Sequence, residues 1–153
     1  MLEFIKLHED AELPIRACEH DAGLDAKAVR REFLDKYGNV TDCIEDMVQV
    51  KYYLGIGCKV PKGYGLFAFC KSSVYKKGMN LSNAVGVIDC GYQGEISVIF
   101  NLTSHSKPYH VGDAVCQLVL IPIETPDAVW GEFTEKTQRG TGGYGHSGNL
   151  FKK

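Results

Sequence analysis

An amide, a short apolar run, one carboxylate and one aromatic fall inside a single glycine-punctuated stretch, Asn83-Ala84-Val85-Gly86-Val87-Ile88-Asp89-Cys90-Gly91-Tyr92-Gln93-Gly94-Glu95. Val87-Ile88 reads as a short buried strand, Cys90 to Gly94 as a turn, and Glu95 to Leu102 as a strand returning beside it. The segment is either a hairpin wrapped around a ligand or a structural hairpin with a solvated turn aspartate. A second stretch, Arg139-Gly140-Thr141-Gly142-Gly143-Tyr144-Gly145-His146-Ser147-Gly148, favours the first reading. Its glycines let backbone N–H groups approach a ligand, Arg139 supplies a charge matched to phosphate, and Tyr144 offers a stacking face. Taken alone, a glycine-rich tail is as readily a plain flexible end. A third stretch, Ser72-Ser73 before Val74-Tyr75-Lys76-Lys77-Gly78, has the pattern of one or two helical turns with a serine cap and a glycine stop. Such a start presents N–H groups and hydroxyls to an anion, or is a simple capped turn.

The elements that must position these groups read as strands. Apolar runs of strand length recur at Leu2 to Leu7, Met47 to Leu54, Gly65 to Phe69, Val85 to Ile88, Ile96 to Leu102, Ala114 to Ile123 and Val129 to Phe133. Turn chemistry separates them, as at Pro61-Lys62-Gly63, Val111-Gly112-Asp113 and Thr125-Pro126-Asp127. Many short strands at this spacing predict an all-β sandwich or jelly roll. Between Lys27 and Asp46 two patterns compete. Ala26, Val29, Phe33 and Tyr37 have helical spacing, while Gly38-Asn39 before Val40-Thr41 suits the turn of a hairpin, which we prefer.

The chain's 153 residues make one domain with a single core, and 44% hydrophobic with 24% charged residues is ordinary for a globular protein. A net charge of −2 gives no cationic surface for nonspecific nucleic-acid binding. Six cysteines without a CxxC pair speak against a zinc site. The charged N-terminal run matches neither a signal peptide nor a membrane span, so reduced thiols in a cytoplasmic protein are expected.

Five motifs in order give the chain a resemblance to the trimeric dUTPases (deoxyuridine triphosphate nucleotidohydrolases), from about Leu13 to Gly148. They are Ala22-Gly23-Leu24-Asp25, Lys71-Ser72-Ser73 running to Lys77-Gly78, the stretch 83 to 95, Gly112-Asp113 with Gln117, and Arg139 to Gly148. The resemblance implies a jelly-roll domain over 1–133, with 27–46 as a hairpin insertion, and a flexible arm over 134–153 that closes the active site. It implies Mg²⁺-assisted hydrolysis of dUTP to dUMP and pyrophosphate, which limits uracil in DNA and supplies dUMP for dTMP synthesis. Asp89 would activate the water, and Asp25 would hold the water shell of the Mg²⁺. Lys71, Ser72, Ser73 and Gln117 would bind the triphosphate and Arg139 would neutralise it. Asn83, the backbone of Val87 and Ile88, and Ser97 would read uracil, Tyr92 would pack beneath the deoxyribose, and Tyr144 with Gly145 would cover the base.

The resemblance further implies a homotrimer with sites between subunits, each arm closing a site formed by the other two chains, and no nucleic-acid or membrane partner. The sequence departs from the family's usual pattern at Lys71, where Arg is common, at Ala114, where a basic residue is common, and at Tyr144, where Phe is common. A dCTP deaminase shares the fold and a similar phosphate motif, but it needs a proton-moving glutamate where this chain has Ile99. A catalytically silent regulatory trimer is the other alternative, and the joint presence of Asp25, Asp89, Gln117 and Arg139 argues against it.

Overall fold

A computed structural model describes residues 2–142. Period-2 alternation fixes the centre of the fold. In β4 (Gln49–Tyr53) Val50 and Tyr52 are buried while their neighbours are half-buried, and in β9 (Ser97–Asn101) Val98 and Phe100 do the same. The antiparallel register sets Val50 against Phe100 and Tyr52 against Val98, so the four side chains share one face. The Tyr52 and Phe100 rings meet edge to face at 5.9 Å. Burying each large apolar side chain contributes about 1.5–3 kcal/mol.

Two four-stranded antiparallel sheets enclose this core. One runs β3 (Arg30–Leu34), β4, β9, β7 (Asn80–Leu81), and the other runs β2 (Leu24–Lys27), β10 (Ala114–Pro122), β6 (Tyr64–Cys70), β8 (Gly86–Ile88). A separate two-stranded sheet pairs β1 (Glu3–Lys6) with β5 (Ile56–Lys59). The whole is a β-sandwich of jelly-roll type, the expected class. Strand β10 buries Val115 and Cys116 in succession, against strict alternation. A register shift between Ala114 and Cys116 explains this, because a bulge lets two neighbouring side chains face the core. Gly55 ends the run that feeds β5. Its φ is +67°, and a Cβ there would stand 2.8 Å from the Cβ of His8.

All six cysteines are free, with Cys58 and Cys116 buried. Burial pushes the Cys116 thiol up to about 12 and that of Cys58 up to about 11, so both act as small apolar core residues. The segment 27–46 contains β2's end, β3, a tight loop and a 3₁₀ turn at Ile44–Asp46. The Asp35 carboxylate accepts from the backbone N–H groups of Tyr37 and Asn39, and Gly38 takes φ +85°. Leu34 bridges Val40 across that loop, so the helical spacing of Val29, Phe33 and Tyr37 is not used.

Three expectations differ from the structure. Val129 to Phe133 forms no strand, and Trp130 and Phe133 are fully exposed. A strand needs a neighbour to take its backbone hydrogen bonds, and no described strand lies beside this run. The strands flanking Cys90 to Gly94 are not ladder partners, since β8 pairs with β6 and β9 with β4 and β7. The turn therefore crosses between the two sheets. The phosphate-motif turn is a 3₁₀ segment, Ser72–Lys77, whose capping position is Lys71, with no side-chain cap, while Gly78 supplies the expected stop at φ +62°.

Candidate active site

Where the chain crosses between sheets it opens a cavity of ≈ 180 Å³ lined by Asn83, Val87, Ile88, Asp89, Tyr92 and Ser97, among others. Six of the residues singled out in the sequence thus meet in one place. Strand β8 is the edge of its sheet, with β6 on one side. Its outer N–H and C=O groups have no ladder partner among the described residues. Ile88 turns into the core while Val87 stays exposed. Gly91 takes φ +99°, which lets the chain reverse right after Asp89. Tyr92 folds back across Gly94, where a Cβ would meet its Oη at 2.4 Å, and that hydroxyl donates to the carbonyl of Glu95 at 3.1 Å. Asp89 itself is exposed, its carbonyl accepting from Tyr92 N–H at 3.1 Å.

A second cluster forms where β2, β10 and the end of β6 run side by side. Asp25 stands opposite Gln117, which stands opposite Phe69 on its other side. Lys71, just past β6, forms an ion pair with Asp25 Oδ2. Gln117 Nε2 donates to the Cys70 carbonyl at 2.9 Å, tying the strand to the start of the Ser72–Lys77 turn. Ser72 and Ser73 are exposed on that turn. Space is tight at Gly23, where a Cβ would lie 2.5 Å from Gln117 Oε1 and 3.0 Å from Gln117 Cβ, so the Gln117 side chain would have to shift. Gly23→Ala should push Gln117 off Cys70, and where the triphosphate contact implied for Gln117 by the family resemblance is lost with it, at about 1 kcal/mol, KM should rise about fivefold with little change in kcat. Steady-state kinetics of the variant check this.

Among the described residues the two clusters line separate cavities. Asp25 borders a different cavity, with Glu12, Leu13, Ile15, Ala17, Lys27 and Ala114, and neither Lys71 nor Gln117 lines the one around Asp89. Arg139 is exposed, its Nε donating to the Gly142 carbonyl at 3.0 Å. Tyr144 and Gly145 lie outside the described residues. Ala68, Gly86, Glu95 and Ile96 also line this cavity and were not singled out as site residues in the sequence. Glu95 lies in the wall beside Asp89, and no local pattern distinguishes it from a solvated turn residue.

The chain is thus a jelly roll with a pocket beside the edge strand β8 and a Lys-Ser-Ser turn beside the β2–β10 pair. The family model for dUTPase matches residues 9–148, and the chain belongs to the dUTPase family. It is 34% identical over 142 residues to the deoxyuridine 5'-triphosphate nucleotidohydrolase of Leifsonia xyli subsp. xyli, covering 89% of this chain and 85% of that protein. A mutant dUTPase of Staphylococcus bacteriophage 80alpha with dUpNHpp has a similar fold, at TM-score 0.74 and 21% identity over 96% of this chain and 98% of that one. A mutant dUTPase from phage phi11 of S. aureus, which coordinates a structural Mg(II) ion, aligns at TM-score 0.67 and 22% identity over 88% of this chain and 99% of that one.

Proposed function

We propose that this protein hydrolyses dUTP to dUMP and pyrophosphate, at sites completed between subunits of a homotrimer. Family membership and the cavity around Asp89 carry the reading. The base enters against β8, where the backbone of Val87 and Ile88, Asn83 and Ser97 meet one Watson–Crick edge. A cytosine amino group or a 5-methyl group leaves buried groups unpaired, at about 1–3 kcal/mol for each. Tyr92, held across Gly94, stands against the sugar face where a 2′-hydroxyl would project. Asp89 is the single carboxylate of the crossing turn with no side-chain partner among the described residues, which suits a base that must reach water.

The phosphates lie along Lys71, Ser72, Ser73 and Gln117, with Arg139 adding a guanidinium. Lys71 provides a point charge where a bidentate fork is usual in the family. Among the described residues no cluster of three His, Cys, Asp or Glu could hold a metal ion by protein groups alone. That donor set fits a Mg²⁺ held chiefly by substrate oxygens, with Asp25 meeting its water shell. Bound there, Mg²⁺ would supply charge neutralisation on the phosphate oxygens.

The trimer accounts for two observations at once. The Asp25 and Asp89 clusters line separate cavities in one chain, and Val129, Trp130 and Phe133 lie exposed on an extended segment. Seating that segment on a neighbouring chain would bury its apolar side chains and carry Arg139 and Tyr144 to a partner's site. A cytoplasmic location is part of this reading, and among the described residues no helix is long and apolar enough to cross a membrane. The product would limit uracil entry into DNA and feed dTMP synthesis. Relative kcat/KM for dUTP, dTTP, dCTP and UTP with Mg²⁺ tests the site: dUTP should exceed each of the others by at least about 10². Comparable hydrolysis of dTTP would refute the base pocket.

A further inference from the structure

Glu95 lines the same cavity as Asp89, yet its carboxylate is turned away to a set of partners the reaction does not use. Oε2 accepts from Arg30 Nη2 at 3.0 Å and Oε1 accepts from the Gly55 N–H at 2.8 Å. The Arg30 guanidinium sits over the Tyr53 ring, 3.1 Å from its centroid, and its Nη1 donates to Glu32 at 3.3 Å. Tyr53 closes the set by donating its hydroxyl to Glu32 at 2.6 Å. These groups come from β3, β4, the β4–β5 link and the end of the crossing turn.

We propose that Arg30 and Glu95 form a positioning clamp that sets the sugar selectivity of the cavity. The inference rests on the dUTP reading above and names two residues that tune it. Three physical links support it. Glu95 is joined at its backbone to the group that would touch the sugar, because its carbonyl accepts from the Tyr92 hydroxyl at 3.1 Å. A shift of Glu95 therefore moves Tyr92. The chain just past Glu95 is fixed by Ile96, whose N–H donates to Ile56 and whose carbonyl accepts from Leu54. With that end pinned, the orientation of the turn depends on where the Glu95 side chain is anchored. The third link is charge. An unpaired carboxylate at Glu95 would face the cavity next to Asp89 and repel a polyanionic ligand, and Arg30 removes that repulsion by holding it outward. Arg30 opens β3, the strand leading into the loop at Asp35 to Asn39, so the clamp also joins that surface segment to the cavity.

The test is the ratio of kcat/KM for dUTP over UTP in Arg30→Met, Glu95→Gln and the double variant, together with the inhibition constant for pyrophosphate and the thermal midpoint. Each single variant should lower the ratio by about tenfold, and the double by no more than the worse single, because the two act as one unit. Pyrophosphate inhibition should stay within twofold of wild type in Glu95→Gln, which leaves no unpaired carboxylate beside the cavity, and should weaken in Arg30→Met, where the freed Glu95 carboxylate repels a polyanion. Arg30→Lys keeps the charge but lacks the fork to reach Glu32 and Glu95 together, so it should lie between wild type and Arg30→Met. It also serves as the readout if Arg30→Met does not fold. Ratios within twofold of wild type in the folded variants, with only the thermal midpoint reduced, would overturn the clamp and leave a plain stabilising ion pair. Wild-type protein without dUTP turnover would overturn the reaction itself, a result distinct from failure of the clamp.

Discussion

Asp89→Asn should leave dUTP binding nearly intact and cut turnover by about 10²–10⁴, the usual contribution of a general base. The substitution keeps the shape of the side chain and the Asp89 carbonyl that anchors Tyr92, so the crossing turn and its cavity should persist. Equilibrium binding of a non-hydrolysable dUTP analogue and single-turnover kinetics separate the two effects. Unchanged turnover would make Asp89 a solvated turn residue, the other reading its sequence context allows.

The second large effect is expected from truncation after Thr137, which removes Arg139, Tyr144 and Gly145. The β-sandwich should fold unaltered, because among the described residues none of the buried core lies beyond Leu118. Activity should fall by at least about 10²-fold through lost phosphate neutralisation and water exclusion together. Thermal midpoint and oligomeric state should hold, since Val129, Trp130 and Phe133 remain. Mixed trimers sharpen the result. An excess of truncated chains with intact Asp89, exchanged with full-length Asp89→Asn chains, should recover turnover if one chain's arm completes another's site. Full activity of the truncated protein alone would remove the arm from the mechanism.

The contrast between what could and could not be read from the sequence has physical causes. Strands β4 and β9 were legible because one face is buried and alternation marks it, as with Val50, Tyr52, Val98 and Phe100, and β10 because its apolar run is long. Strand β2 escaped notice because Leu24-Asp25-Ala26-Lys27 carries charges that look like turn composition, and β3, with its charged start at Arg30 to Glu32, was expected only as an arm of the hairpin preferred over 27–46. Those charges are part of the site and its support: Asp25 meets Lys71, and Arg30 meets Glu95. The apolar pattern of Val129 to Phe133 was read as a strand, yet pattern reports a demand for burial and not the surface that meets it. The same limit applies to Cys90 to Gly94. Short apolar runs identified strands on both sides, but a turn that joins two sheets has the local chemistry of one that closes a hairpin.

Site residues within one short segment were therefore the easiest to group. Asn83 to Ser97 lie together in sequence and in space, and the glycines that shape the turn are visible signals. Long-range pairs are different. Arg30 and Glu95 stand 65 residues apart, and nothing in either neighbourhood names the other. Gly23 appeared in a motif, whereas its reason, the approach of Gln117, needs the β2–β10 register.

The most direct measurement is ³¹P NMR of dUTP incubated with the protein and Mg²⁺, with ammonia assayed in a parallel incubation with dCTP. The account predicts loss of the triphosphate signals with dUMP and pyrophosphate appearing in equal amounts, no diphosphate or inorganic phosphate, and no ammonia from dCTP. Ammonia release, or stepwise loss of the terminal phosphate from dUTP, would contradict it.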